Sequence, residues 1–143
     1  MTLVVDASVA VKWLVDEPEH IAARGLLDRS EQLLAPDFVF VETANVLWKK
    51  VLRRELTGQQ AVEGVDSLPR LFDTVIPSGL LVARAVRIAI EMAHPVYDCL
   101  YLACCEQVDA DLVTTDARLV AKMRAASSGA RAHTLSEFSA GAR

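Results

Sequence analysis

The chain has few of the residues that mark disulfide frameworks or zinc sites. Its 143 residues include 3 cysteines, which are odd in number and form no Cys-x-x-Cys pair. This usage predicts reduced, buried thiols in a cytosolic protein. The 3 histidines, His20, His94 and His133, show no metal-ligand spacing. We interpret all of them as structural or surface residues.

Long hydrophobic runs and an excess of positive charge are also missing. Asp6 interrupts the first apolar run, so no signal-peptide core forms. The most hydrophobic helical segment, 80–93, carries charged residues and is too short to span a bilayer. A formal net charge of −4 argues against a generic polyanion binder. We therefore expect a cytoplasmic protein with no membrane partner, in which any contact with nucleic acid needs a local patch or a bound cation.

The overall composition is that of a globular domain. Hydrophobic residues make up 52% of the chain and charged residues 24%. The length suits one domain, residues 1–143, with a substantial core. A mean hydropathy of +0.28 is high for a soluble monomer of this size. It predicts an apolar surface that is covered in a homodimer or by a partner.

Short apolar runs alternate with helical segments along the chain. The pattern predicts strands at 3–5, 32–35, 73–77, 112–114 and, weakly, 131–134. It predicts helices at 9–15, 19–28, 38–54, 57–68, 79–92, 97–107 and 117–126, followed by a polar tail. A short, wholly apolar run is typical of a strand buried on both faces in a parallel sheet. We expect an α/β fold, a three-layer α/β/α sandwich with a mostly parallel central sheet.

Polar residues mark the predicted helix starts. Ser8, Asp37 and Ser78 are candidate N-caps, and Thr57 with Gln60 matches a capping box. The helix 97–107 is apolar nearly all round, which indicates a place in the centre of the fold.

Four acids stand out because their neighbours are apolar. Asp6 follows the first strand, Glu42 lies in an apolar helix start, Asp98 opens the most buried helix, and Asp116 follows the strand 112–114. Acids are rarely buried unless they are paired or bind a metal. The carboxyl ends of parallel strands, where such sheets bind ligands, can bring them together. Asn45, at i+3 from Glu42, lies on the same side of its helix.

Carboxylates gathered in this way need a cation or a shared proton. At separations of about 6 Å, each pair repels by roughly 3 kcal/mol at an effective dielectric near 20. Oxygen ligands without histidine or cysteine favour Mg²⁺ or Mn²⁺ over Zn²⁺. Because Mg²⁺ keeps waters and binds phosphates, phosphodiester hydrolysis is the natural chemistry of such a site.

Each acid also has a simpler interpretation. Asp6 could cap a helix, Asp98 could complement a helix dipole, Asp116 could form an Asx-turn, and Glu42 could face solvent. A metal site is favoured because it explains all four acids at once, whereas the simpler interpretations need four independent explanations.

The same residues carry a resemblance to a known family. The matching stretches are VVDASV at 4–9, PDFVFVETANVL at 36–47, YDCLYLA at 97–103 and LVTTDARL at 112–119. With these motifs in this order and spacing, the chain resembles a PIN-domain ribonuclease. It is most similar to a VapC-like toxin of a type II toxin–antitoxin pair.

The resemblance implies a Mg²⁺- or Mn²⁺-dependent endoribonuclease that forms homodimers and is inhibited by a small antitoxin. It implies an acidic quartet made of Asp6, Glu42, Asp98 and Asp116, with Ser8 and Thr114 as accompanying hydroxyl residues. Some relatives carry a further acid just after the last aspartate, where this chain has Arg118. The occupancy of a second metal site therefore stays open.

Two other protein classes also place aspartates at the ends of strands. A receiver domain needs paired acids after the first strand, but here Asp6 is followed by Ala7 and Ser8. An aspartyl phosphatase needs Asp-x-Asp at that place, and Ser8 stands where its second aspartate would be. The stronger alternative is a non-catalytic PIN-fold module that binds RNA or protein. Its mark would be a missing acid, and none of the four is missing.

Overall fold

The computed structural model describes residues 1–126 and 131–141, which form alternating strands and helices. The strands are β1 Thr2–Val5, β2 Gln32–Pro36, β3 Thr74–Ile76, β4 Asp111–Thr114 and β5 Ala132–Thr134. The α-helices are α1 Ala7–Leu14, α2 His20–Gly25, α3 Phe38–Leu52, α4 Gly58–Ser67, α5 Val82–Met92, α6 Val96–Val108, α7 Ala117–Ala125 and α8 Leu135–Gly141. Short 3₁₀ turns occupy Leu26–Asp28, Leu68–Leu71 and Ser78–Leu80.

The strands form one sheet in the order β3-β2-β1-β4-β5, and every pairing is parallel. The predicted α/β class is confirmed, and the sheet is parallel throughout rather than mostly so. Its central strand, β1, pairs Leu3 with Leu33 on one side and with Asp111 on the other. Leu3, Val4 and Val5 are fully buried, because a central parallel strand is covered on both faces.

Helices cover both faces of the sheet, as predicted for a three-layer sandwich. From β1 the chain first adds β2 and β3 on one side of the sheet, and later adds β4 and β5 on the other side. Right-handed crossovers therefore place α1–α4 on one face and α5–α7 on the opposite face. Contacts of α1 with α2 and α3, and of α5 with α6, agree with this division. The last helix, α8, packs against α2.

Helix α6 is the central helix of its layer, as its composition predicts. It packs against β1, β2 and β4, and all residues from Cys99 to Cys105 are buried. Burial raises the pKa of Cys99 and Cys104 to about 11, which keeps both thiols protonated at neutral pH. Tyr97 differs from the expectation of a helix buried all round, since its side chain is 65% exposed and stacks on Phe38.

Some predicted helix ends are wrong. Asp6, not Ser8, caps α1, and Ser78 opens a 3₁₀ turn before α5 instead of capping that helix. Asp37 precedes α3 without capping it, because its carboxylate accepts a hydrogen bond from the Ser78 backbone N–H. The predicted polar tail contains α8.

The capping box at the start of α4 is confirmed, with Thr57 and Gln60 exchanging hydrogen bonds. Within residues 1–126 and 131–141, no helix combines the length and apolarity needed to cross a membrane.

Candidate active site

The candidate site lies where the direction of the strand order reverses. The chain leaves β1 toward β2 and leaves β4 toward β5, so a crevice opens at the carboxyl ends of β1 and β4. Asp6 directly follows β1, while Thr114 ends β4. The fold therefore brings together polar residues that are far apart in sequence.

Asp6 is the most buried acid of this crevice, at 6% exposed. The Ser8 hydroxyl donates to Asp6 Oδ1 at 2.5 Å, and the Thr114 hydroxyl donates to Oδ2 at 2.5 Å. The Val9 backbone N–H lies 3.4 Å from Oδ1, as expected of an N-cap. The helix-cap interpretation of Asp6 is thus correct, and the same carboxylate is also held by two hydroxyls.

The directions of these hydroxyl bonds are fixed by the turn after β4. Ser8 Oγ accepts the backbone N–H of Thr115 at 3.0 Å, and Thr114 Oγ1 accepts that of Asp116 at 3.1 Å. Each hydroxyl has a single proton, which is therefore available for the Asp6 carboxylate. The arrangement restrains both carboxylate oxygens of Asp6.

Burial raises the pKa of Asp6 from 3.8 to about 6. The hydrogen bonds from Ser8 and Thr114 act in the opposite direction, and the negative charge of Asp98 adds to the increase. Burial therefore disfavours the charged form of the Asp6 carboxylate, and a nearby positive charge would stabilise that form.

Glu42 lies one turn into α3 and is half-buried. Burial, followed by the charges of Asp6 and Asp98, raises its pKa from 4.5 to about 7. In the described part of the chain its carboxylate accepts no side-chain hydrogen bond. The interpretation of Glu42 as a solvent-facing residue does not account for these neighbours.

Asp98 lies in the first turn of α6, with one carboxylate oxygen in contact with a histidine. Its Oδ2 is 2.6 Å from His94 Nε2. His94 was predicted to be structural or surface, and its contact with an acid of this site was missed. The sequence signal was the i,i+4 spacing of His94 and Asp98 across Pro95.

Asp116 is placed differently from the other three acids. It is exposed and caps α7, where its Oδ1 accepts the backbone N–H groups of Arg118 at 3.0 Å and Leu119 at 3.1 Å. Its charge is not among the causes that raise the pKa of Asp6 or Glu42. The structure brings three of the acids together, and the backbone N–H of Asp116 joins it to them by donating to Thr114 Oγ1. Asn45, predicted to accompany Glu42, is exposed on α3.

Tyr101 is a neighbour of the acids that the sequence indicated only as a core residue. Its side chain is 1% exposed, and its hydroxyl has no hydrogen-bond partner in the described ranges. Burial is the largest cause that raises the pKa of Tyr101 far above its usual value, followed by the charges of Glu42 and Asp6. The Tyr101 hydroxyl is therefore a buried polar group that lies near enough to Glu42 and Asp6 to be affected by their charges.

The residues suit a hydrated divalent cation better than a closed metal cage. Asp6, Glu42 and Asp98 offer oxygen ligands, and their mutual repulsion would be relieved by positive charge. Across residues 1–126 and 131–141, no three His, Cys, Asp or Glu side chains are grouped tightly enough to enclose an ion. Mg²⁺ usually keeps several waters and binds through one or two carboxylates, so it does not require such a cluster.

Comparison with known proteins identifies relatives along nearly the whole chain. A sequence profile of the PIN domain matches residues 3–124. Ribonuclease VapC1 of Mycobacterium tuberculosis is 35% identical over 121 residues, which cover 82% of this chain and 88% of the relative.

Solved structures share the fold. PAE2754 from Pyrobaculum aerophilum superimposes with a TM-score of 0.73 at 20% identity, covering 100% of this chain and 91% of the other. DNA-bound VapBC from Salmonella typhimurium gives a TM-score of 0.66 at 16% identity, with 94% and 98% covered. The PIN-like three-layer architecture predicted from the sequence is confirmed by these likenesses.

Proposed function

Since the chain belongs to the PIN-domain family, we propose that it is a Mg²⁺- or Mn²⁺-dependent endoribonuclease and the toxin of a type II toxin–antitoxin pair. The observation that carries the proposal is the convergence of Asp6, Glu42 and Asp98: the charge of Asp98 raises the pKa of Asp6, and the charges of Asp6 and Asp98 raise the pKa of Glu42. The relative named Ribonuclease VapC1 supports RNA as the substrate.

Asp6 and Asp98 would hold the cation with Glu42 beside it, and Asp116 would complete the quartet from the start of α7. When bound, the cation supplies a Lewis acid for a phosphoryl oxygen and lowers the pKa of a coordinated water.

The chain itself provides orientation and a proton acceptor. Ser8 and Thr114 hold the Asp6 carboxylate in one orientation through their hydroxyl protons. Glu42 lies beside Asp6 and Asp98, and its carboxylate can accept a proton from the attacking water. We assign Glu42 as the proton acceptor of phosphodiester hydrolysis.

An apolar stripe on α5 is the proposed homodimer surface. Val82, Val86 and Ile90 are 44%, 40% and 76% exposed and recur every four residues, on one face of the helix. Leu80, which is 77% exposed, extends the stripe at its beginning. Apolar side chains aligned in this way are typical of a surface that is covered in an assembly.

A second apolar surface, between α3 and α4, is the proposed antitoxin site. It is an open groove of about 400 Å³ whose lining includes Leu47, Trp48, Val51 and Val62. Trp48 is 55% exposed and Val62 62% exposed. Because Glu42 lies earlier on the same α3 helix, a peptide in this groove can continue toward the acids. The structural likeness to DNA-bound VapBC is consistent with such a partner.

The function is tested by incubating a structured RNA with the protein in Mg²⁺ and in excess chelator. We expect Mg²⁺-dependent cleavage that falls by more than about 100-fold in Asp6→Asn and Asp98→Asn, because loss of even an outer-shell partner lowers activity about 10- to 100-fold. Asp28→Asn is the matched control, since Asp28 is exposed and precedes the amino end of β2.

Two results would contradict the proposal. Equal cleavage by parent and acid variants would remove these acids from the mechanism. RNA binding without cleavage under any metal condition would favour the non-catalytic binding module.

A further inference from the structure

His94 connects the acid site to a lysine on another helix. Its Nε2 lies 2.6 Å from Asp98 Oδ2, and its Nδ1 lies 3.2 Å from Lys122 Nζ. The Lys122 ammonium also donates to the carbonyl oxygen of Ala93 at 3.3 Å. Ala93 directly follows α5, His94 precedes α6, and Lys122 lies on α7, so the contact joins the elements of one layer.

The chemistry of lysine sets the direction of these hydrogen bonds. An ammonium group has donors only, so His94 Nδ1 must act as the acceptor. In the neutral imidazole the proton then resides on Nε2, which donates it to Asp98 Oδ2. The imidazole is 13% exposed, so water competes little for either nitrogen.

We propose that His94 is a positioning residue for Asp98, held by Lys122 in the tautomer that donates to the carboxylate. The hydrogen bond fixes Oδ2 and leaves Oδ1 of Asp98 free for the site. Carboxylate ligands of metals are commonly held by such outer partners, and their loss weakens metal affinity about 10- to 100-fold. The inference rests on the proposed function only in taking Asp98 as a cation ligand.

The hydrogen-bond direction is tested by long-range ¹H–¹⁵N spectra of the imidazoles at about pH 8, where ordinary histidines are neutral. The signal of His94 is identified by its loss in His94→Gln. We expect the Nε2–H tautomer in the parent protein. A dominant Nδ1–H tautomer would overturn the proposal, because Nε2 could not then donate to Asp98.

The positioning role is tested by Mn²⁺ binding, followed by electron paramagnetic resonance of the free ion. His94→Leu removes the donor, and we expect about tenfold or greater weakening. His94→Gln keeps an amide N–H at a similar distance along the side chain, so we expect it to restore most of the affinity. His133→Leu is the matched control, since His133 Nε2 contacts Asp111 at 2.9 Å at the start of β4.

Asp98→Asn separates this inference from the proposed function. If it abolishes Mn²⁺ binding while His94→Leu binds like the parent, the positioning role is overturned and the metal site stands. If Asp98→Asn also binds like the parent, both the metal site and the role of His94 in it are overturned.

Discussion

Thr114 Oγ1 donates to Asp6 Oδ2 at 2.5 Å, although 108 positions separate these residues in the chain. The bond exists because β1 and β4 are neighbours in the sheet, with Val5 opposite Val113. The hydrogen bond therefore depends both on the pairing of β1 with β4 and on the Asp6 carboxylate as its acceptor.

Thr114→Val removes this donor while keeping the shape of the side chain. We expect a loss of about 1–3 kcal/mol in the free energy of unfolding at neutral pH, because a buried carboxylate loses a charge-assisted hydrogen bond. Urea unfolding followed by circular dichroism measures the change. Thr114→Ser, which keeps the hydroxyl, should retain most of the stability. Equal losses in the two variants would show that packing of the methyl group, not the hydrogen bond, is responsible.

Glu42→Gln should stabilise the metal-free protein in a pH-dependent way. Glu42 has a pKa of about 7 in the folded protein against 4.5 for the unfolded chain. Between these values the folded state binds more protons, so the stability of the parent falls as pH rises through this window. The neutral variant avoids this loss of unfolding free energy. We expect the difference to be about 1–2 kcal/mol above pH 7, because Glu42 is partly exposed and solvent screens its charge.

Urea unfolding in chelator at about pH 4 and about pH 8 tests this expectation, since the two conditions lie on either side of the titration window. The advantage of Glu42→Gln should be near zero in acid and largest in base. Glu63→Gln, on the exposed surface of α4, is the control. An advantage that is the same at both pH values would contradict the electrostatic origin.

Glu17, in the turn after α1, bridges two lysines. Its carboxylate lies 3.1 Å from Lys12 Nζ and 2.7 Å from Lys50 Nζ. Burial raises the pKa of Glu17, but the hydrogen bonds from Lys50 and Lys12 outweigh it and leave the pKa lowered. The bridge ties the end of α1 to α3.

Glu17→Gln is expected to lower the free energy of unfolding by about 1 kcal/mol at neutral pH, in the range of a partly buried ion pair. Because the folded pKa is lowered, this stabilisation is present above 4.5 and is lost as pH falls through the folded value. Thermal unfolding at several pH values measures it, with Glu19→Gln as the exposed control. An unchanged midpoint at neutral pH would contradict the bridge.

Ile90→Asp should convert a dimer into a monomer. Ile90 is 76% exposed on the apolar stripe of α5, where a charge would be buried in the proposed interface. Light scattering at micromolar concentration measures the mass. Ile21→Asp is the control, because Ile21 is 78% exposed on α2, outside the stripe. A monomeric parent, or a dimer in Ile90→Asp, would contradict this surface.

The sequence predicted the features that depend on local pattern. The apolar runs gave all five strands, and the uniform hydrophobicity of 97–107 gave the central helix α6. An acid after an apolar strand identified Asp6 as a candidate because strand ends in a parallel sheet reach the same edge. Glu42 and Asp98 lie on helices rather than at strand ends, so the packing of α3 and α6 against the sheet decides their positions.

Features that depend on tertiary contacts were missed. The contact of His94 with Lys122 and the ion pair of Glu17 with Lys50 join residues that lie far apart in sequence, and no local pattern indicates them. Competition among nearby polar groups also decides helix caps, and Ser8 donates to Asp6 rather than capping α1 itself. A polar composition did not predict α8, which packs Leu135 into the core.

A Mn²⁺-soaked crystal, examined by anomalous scattering at the manganese edge, tests the central claim most directly. We predict a peak within direct coordination distance of carboxylate oxygens of Asp6 and Asp98, with Glu42 beside it. Manganese bound elsewhere, with nothing between these carboxylates at saturating concentration, would contradict the account.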